Sequence, residues 1–318
     1  MHIQDALQRA LQGAIEHGRE MCLLVDTAHA EGSYKVLDRW QIPYQSLFDE
    51  TPEATLIEIA PLLISVKDLD QLQRDKIFKW VEDLAYVSPC FSWFETAWPP
   101  NVMVEHLRLF HVVGLSEGQA MLMRWYDTRI LPVWFACLTE PQAEAFAAGV
   151  EAWLYVDRTG AIAELPITRH ATDFPAKPDH GQPLICLTDT QYAPLVDAAE
   201  LDALLTHLRR IIPDELKRVS HVQLTLFAGQ YQQQAISAGL DDIDRQAQYV
   251  LLALYTSGEG QANPAFKLFI EQPPATLDAF SDGLQALPDE VWEAGQPVWD
   301  SLRKQATQTS QMAETRHA

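Results

Sequence analysis

Arg124-Trp-Tyr-Asp-Thr-Arg-Ile-Leu-Pro132 joins two apolar stretches through three ionic side chains and a proline. Upstream of it, Met121, Met123 and Trp125 alternate with Leu122, Arg124 and Tyr126, the period-two pattern of a strand over 119–126. Asp127 marks the turn out of that strand. Pro132 has no N–H and favours the first turn of a helix, which would carry Val133, Trp134, Phe135 and Leu138. Arg124, Tyr126, Asp127 and Arg129 therefore define a strand-to-helix corner. Buried charges must pair, so the stretch reads first as an ion network that specifies the fold, with a binding or catalytic cluster as the alternative.

Working outward, strands and helices alternate as far as residue 138. An amphipathic helix with Ile3, Leu7, Leu11 and Ile15 on one face runs to Gly18, and a buried strand follows at Cys22–Asp26. A helix at 34–40, a strand at 44–48 and a short helix opened by Thr51-Pro52 come next. Pro61–Val66 reads as a strand, 69–87 as a helix with Leu72, Ile77, Trp80, Val81 and Leu84 inward, and Phe91–Phe94 as a strand. A helix at 101–109 leads into a hairpin of 111–115 with 120–126. Beyond a helix at 140–149, a second hairpin is expected at 152–156 and 162–167. The pattern predicts an α/β lobe, a mixed sheet with flanking helices that is antiparallel near the hairpin. Residues 165–183, rich in Pro, His, Asp and Thr, read as a linker. Helical periodicity then takes over at 192–212, 214–239, 243–255, 265–270 and 274–287, with a Gln- and Thr-rich tail expected to fray beyond Leu302. The expected organisation is an α/β lobe over 1–186 and an all-helical lobe over 187–318.

The 318 residues carry a formal charge of −21, and this is spread evenly: Met1–Thr159 holds 23 acidic and 12 basic residues. So acidic a surface disfavours nucleic acid and anionic membrane as partners. Cys22, Cys90, Cys137 and Cys186 are far apart, each beside apolar residues, and read as reduced core residues. The N-terminus has no signal-peptide character and no apolar run reaches the ~20 residues of a membrane span, so a cytoplasmic location is expected.

Catalytic motifs are weak. Gly114-Leu-Ser-Glu-Gly118 fits the G-x-S-x-G pattern of a hydrolase and would make Ser116 a nucleophile, but an elbow needs a following helix and a strand is expected there. Val25-Asp-Thr-Ala28 has an aspartic-protease flavour without the second loop that would share its proton, so Asp26 reads as a cap or turn residue. The histidines, His106, His111, His170 and His180 among them, show no metal-ligand spacing. No metal, cofactor or catalytic residue is expected. Most tryptophans sit at core spacing; Trp98, Trp292 and Trp299 are the candidates for exposure and for contact with a partner.

The order of these segments resembles the adaptor, or effector-chaperone, family of bacterial type VI secretion systems, the Tap/Tec proteins. The resemblance is carried by a first strand ending in Val25-Asp26, the segment Tyr44–Phe48, Ala60-Pro-Leu-Leu-Ile-Ser-Val66, Phe91-Ser-Trp-Phe94 and His106-Leu-Arg-Leu-Phe110. Its best signature is Met123-Arg-Trp-Tyr-Asp-Thr-Arg-Ile-Leu131. Many relatives have proline where Thr128 stands and Trp-Gly where this chain has Trp93-Phe94. Gln234–Leu240, Asp244 and Tyr249–Leu254 are similar to the family's later helical segment. The core of the resemblance spans 22–149. It implies a non-catalytic cytoplasmic protein that binds a secreted toxin effector and helps load it onto the spike protein VgrG. A serine hydrolase using Ser116, or a small-ligand module in a cleft between the lobes, are the competing readings.

Overall fold

The computed structural model describes residues 2–85, 88–168, 171, 173–175 and 182–300. Val87, His170, His180 and the tail beyond Leu302 lie outside the described residues. The strands are β1 (Glu20–Asp26), β2 (Gln45–Ser46), β3 (Pro61–Ser65), β4 (Phe91–Thr96), β5 (Val112–Leu115), β6 (Ala120–Leu122), β7 (Val150–Val156), β8 (Ile162–Glu164) and β9 (Ile185–Leu187). The helices of the same region are α1 (Ile3–Glu16), α2 (Ser33–Trp40), α3 (Gln71–Ala85), α4 (Pro100–Arg108), α5 (Leu131–Cys137) and α6 (Glu140–Phe146). Then come α7 (Asp189–Ile211), α8 (Pro213–Leu216), α9 (His221–Ser237), α10 (Ile243–Thr256), α11 (Glu259–Ala262), α12 (Pro264–Ile270), α13 (Leu277–Gln285) and α14 (Asp289–Trp292). The chain divides into two compact units, Met1–Ala198 and Ala199–Ala318. The first is mixed α/β and the second helical.

In the first unit six strands lie in the order β2-β3-β1-β4-β7-β8, each antiparallel to its neighbours. β1 sits between β3 and β4, which therefore run parallel to each other and are joined by α3 crossing over. This is how a sequence that alternates strand and helix yields an antiparallel sheet: the crossover skips a position that β1 already occupies. β1, β3 and β4 are buried almost throughout, matching their unbroken apolar runs. A second sheet, β6-β5-β9, pairs the expected hairpin with a parallel strand at β9.

One face of the large sheet carries an aromatic cluster. Phe94 packs on Trp153 with ring centroids 4.9 Å apart, and Trp153 stacks on Phe146 at 5.5 Å. Phe146 in turn meets Phe110 at 5.1 Å, Trp125 at 5.2 Å and Trp134 at 5.9 Å. Each of these rings is fully buried. The indole Nε1 of Trp153 donates to Ser92 Oγ at 3.0 Å, so this polar atom is satisfied within the core.

Several elements differ from the periodicity. The strand expected to reach Tyr126 ends at Leu122; Met123 N donates to His111 O at 2.6 Å, after which the chain turns inward and buries Trp125 and Tyr126 together. The strand at 44–48 shrinks to two residues because Ser46 Oγ accepts from Phe48 N at 3.1 Å, a local side-chain turn that competes with the ladder. The helix expected at Thr51-Pro52 is a set of turns leading to a short 3₁₀ segment, Ile57–Ile59. Leu72 is 63% exposed: it lies nine residues before Val81, about half a helical turn out of phase with the buried stripe. Cys186 is exposed, since its neighbours on β9, Ile185 and Leu187, take the inward positions.

In the helical unit, the stretch expected as one helix over 214–239 breaks after Leu216 and restarts at His221. Ser220 Oγ accepts from Gln223 N at 3.2 Å, a capping box that resets the helix. α10 is buried on two faces, with Ala247, Val250 and Leu254 in one cluster and Tyr249 and Leu252 in another. That double burial explains its nearly continuous apolar run.

Phe146→Ala removes the ring that five other aromatics touch, Phe135 being the fifth at 6.4 Å. It is expected to cost about 3–5 kcal/mol, read as a lower midpoint in urea unfolding followed by near-UV circular dichroism. A midpoint within error of wild type would show that the cluster is not the keystone of this face.

Candidate functional site

The corner quoted from the sequence meets the C-terminal end of β1. β1 places Asp26 last in its run, with its N–H bonded to Cys90 O at 2.8 Å and its Oδ1 accepting from Ala28 N at 3.1 Å. Asp26 is thus the turn residue expected, and it is also fully buried. Its Oδ2 accepts from Arg124 Nη2 at 2.7 Å. Three residues on, His29 stands 3.3 Å from Asp127 Oδ2 and 4.0 Å from Asp26 Oδ2.

Asp127 is the centre of the arrangement, with 3% of its surface exposed. Arg129 clamps it with both ends of its guanidinium, Nε to Oδ1 at 2.8 Å and Nη2 to Oδ2 at 2.6 Å, while Arg129 N donates to Oδ1 at 3.0 Å. This bidentate geometry is the strong form of the pair. Arg124 adds a longer contact at 3.9 Å, and Arg129 Nη2 also touches His29 Nε2. The Asp127 carbonyl accepts from Ile130 N and Leu131 N, both at 2.8 Å, so the same residue starts α5. Tyr126 is buried beside Arg124, whose guanidinium lies 5.9 Å from its ring.

The electrostatics separate the two carboxylates. Burial works against ionised Asp127, but hydrogen bonds from Arg129 and His29 and the charge of Arg129 hold its carboxyl well below the usual carboxylate range. Asp26 moves the other way: burial pushes it up, more than Arg124 offsets, and Asp127 repels its charge. Burial also raises the Tyr126 hydroxyl and the Cys90 thiol, which leaves both protonated and unreactive at neutral pH.

Asp26, His29 and Asp127 offer ligand atoms within 4.8 Å of one another, close enough to converge on a cation. The guanidinium groups already occupy the carboxylate oxygens that an ion would need, on Asp26 through Arg124 and on both oxygens of Asp127 through Arg129. The donor set fits an ion network better than a metal centre.

Ser116 lies elsewhere, in the exposed turn between β5 and β6. Gly118 N bonds back to Leu115 O at 2.9 Å, with Gly118 at φ +79°, and the strand β6 follows directly. The Ser116 hydroxyl donates to Asp189 at the start of α7, and the element that follows the turn in sequence is strand β6, where a nucleophile elbow requires a helix.

The three tryptophans picked for contact have different fates. Trp98 is half-buried, stacked on Phe174 at 5.8 Å and edge-on to His106 at 5.2 Å. It also lies over Gly149, where an added Cβ would come 2.4 Å from its ring at a backbone φ of +76°. Trp299 is 6% exposed, packed edge-on against Tyr255 at 5.1 Å, so the expected exposure is corrected: its ring belongs to the helical core. Trp292 remains half-buried and lines a groove of the helical unit. Sequence reasoning missed His29 altogether and missed that Asp26 belongs with the corner. The available signal was an aspartate closing an apolar strand with a histidine three residues later, but its partners are 98 and 100 residues away.

Residues 22–145 match a family model described as "Domain of unknown function (DUF4123)". That span covers β1 through most of α6 and includes every member of the ion cluster. Searches of curated proteins and of solved structures each give no match.

The sign of the pH dependence follows from the two shifts. Asp127 titrates lower in the folded chain than unfolded, so its stabilisation is complete above the unfolded value of about 3.9 and fades as pH falls through that range toward the folded value. Asp26, raised by burial, contributes in the opposite sense and loses its contribution as pH rises through its folded value. Asp127→Asn is therefore expected to cost about 3–5 kcal/mol at pH 7 and about 1 kcal/mol less at pH 3, measured by urea unfolding. A variant as stable as wild type at neutral pH would contradict the buried network.

Proposed function

We propose that this chain is a non-catalytic adaptor that binds a secreted toxin effector and promotes its loading onto the VgrG spike of a type VI secretion system. The observation that carries this reading is the family match over 22–145, since that family is associated with type VI secretion effector adaptors and is not a known enzyme family. The geometry is in keeping with it. The most ionic part of the α/β unit is a set of mutually neutralised side chains, with Asp127 held as a carboxylate by two partners and Cys90 held as a thiol. Such a corner ties distant segments of the α/β unit together, with its most enclosed carboxylate taken up by Arg129 and His29.

In this reading residues 1–186 form the scaffold lobe and 187–318 the helical lobe, and the protein works in the bacterial cytoplasm before delivery. Among the described residues no helix is long and apolar enough to cross a membrane. Binding needs surfaces with aromatic anchors and a polar rim. Exposed apolar side chains are present in both units, Leu56 and Ile59 in the first and Leu226 and Leu268 in the second.

Two measurements test the proposal together. The cognate toxin, encoded beside a spike gene and this gene, is expected to co-purify with the chain, and deleting the gene is expected to abolish toxin delivery while the toxin is still made. Ser116→Ala is expected to leave both unchanged, whereas a hydrolase would lose turnover. A Ser116-dependent turnover in a preparation that retains no toxin would replace the adaptor with an enzyme.

A further inference from the structure

A groove of about 240 Å³ opens in the helical unit between α10, α13 and α14, lined by Gln248, Leu251, Tyr255, Ser281, Leu284 and Trp292. It is smaller than the roughly 300–1,000 Å³ of pockets that enclose a drug-sized ligand, so it suits one large side chain entering from outside. Its lining is apolar and amide or hydroxyl in character, with no charged group.

On α10, α13 and α14 the exposed charge is of one sign. Asp244 continues the face of Gln248 and Leu251 one turn earlier on α10, Asp278 stands one turn before Ser281 on α13, and Asp289 one turn before Trp292 on α14. Asp278, Asp282, Asp289 and Glu290 are exposed, and the side chain of Asp244 is 49% exposed with His207 at 3.5 Å. The one cation on these three helices, Arg245, is 8% exposed and held by Asp241 and Asp242. Apolar surface continues out of the groove, with Leu277 38% and Tyr255 37% exposed.

We infer that this groove docks a basic, amphipathic segment of a partner polypeptide: one large apolar side chain enters beside Trp292, and flanking lysine or arginine side chains meet the rim carboxylates. Apolar insertion holds the segment, while the rim, made of exposed charges that each contribute little, selects its sign and speeds the encounter. The same rim disfavours a second copy of this chain, which carries −21, as well as nucleic acid and anionic membrane. The inference rests on the adaptor reading for the partner being a polypeptide; the surface and the partner's chemistry are additional to it.

The test uses the full chain and a short fluorescein-labelled peptide of lysine, leucine and alanine with its leucines at helical spacing, read by fluorescence anisotropy. Saturable binding is expected, lost when the leucines become serine at unchanged charge. Asp278→Lys with Asp289→Lys is expected to weaken binding about tenfold or more. Glu31→Lys with Glu117→Lys, the same charge change at exposed sites of the α/β unit, is expected to alter it no more than about twofold. Circular dichroism confirms that each variant is folded. Equal losses from the two pairs would mean general attraction to an acidic protein and would overturn the inference. Binding that appears only after residues 301–318 are deleted would overturn it too, by giving the groove to the chain's own Leu302-Arg303-Lys304. A toxin that co-purifies equally with wild type and the rim variant refutes the groove and leaves the adaptor standing. Groove-dependent peptide binding in a chain that retains no toxin supports the groove and refutes the adaptor.

Discussion

Asp127 is a carboxylate with almost no access to water, and the way it is neutralised ties together parts of the chain that lie a hundred residues apart. Arg129 neutralises it from within the same turn, so that pair can form locally. Arg124 and His29 then link the turn to the end of β1, through Asp26 in one case and through Asp127 itself in the other. Removing Arg129 leaves the buried Asp127 carboxylate without its bidentate partner, a far larger penalty than the pair's net contribution to stability. The cluster thus acts more as a constraint on geometry than as a source of stability: other ways of joining β6 to α5 would strand at least one charge.

The aromatic cluster meets that corner from the core side. Trp125 precedes the ionic residues in sequence and packs on Phe146 and Trp153, so the turn is fixed by ion pairs at one end and by ring contacts at the other. Gly149 and Trp98 show the same economy at the start of β7, where a left-handed glycine lets an indole lie flat against the backbone. The helical unit solves a different problem. α10 is wrapped on two sides, and Arg245, beside its cap, is anchored by Asp241, Asp242 and the Pro274 carbonyl at 2.9 Å. That leaves α10, α13 and α14 with an outer surface whose charge is almost wholly acidic.

For function, the contrast between the two regions matters. At the corner, charges of both signs are close, mutually satisfied and mostly shielded, the arrangement of a scaffold. On the helices around the groove, exposed carboxylates stand beside uncovered apolar surface, the feature on which the inferred docking site rests. In the proposed adaptor both would serve, one as a frame and the other as a face for another chain.

Much of this was legible in the residues. The apolar runs at β1, β3, β4 and β7, the hairpin around Ser116, the proline-started α5 and the all-helical second half follow from local periodicity and turn chemistry, which depend only on near neighbours. The pairing needs of Arg124, Asp127 and Arg129 were legible too, because a corner between apolar stretches has to neutralise its charges. Strand directions, the placing of β1 between β3 and β4, the early end of β6 and the burial of Trp299 were decided by tertiary packing. So was the entry of Asp26 and His29 into the cluster. These features depend on which distant surfaces close over which side chains, and a one-dimensional pattern carries the demand for a partner without carrying the partner's position.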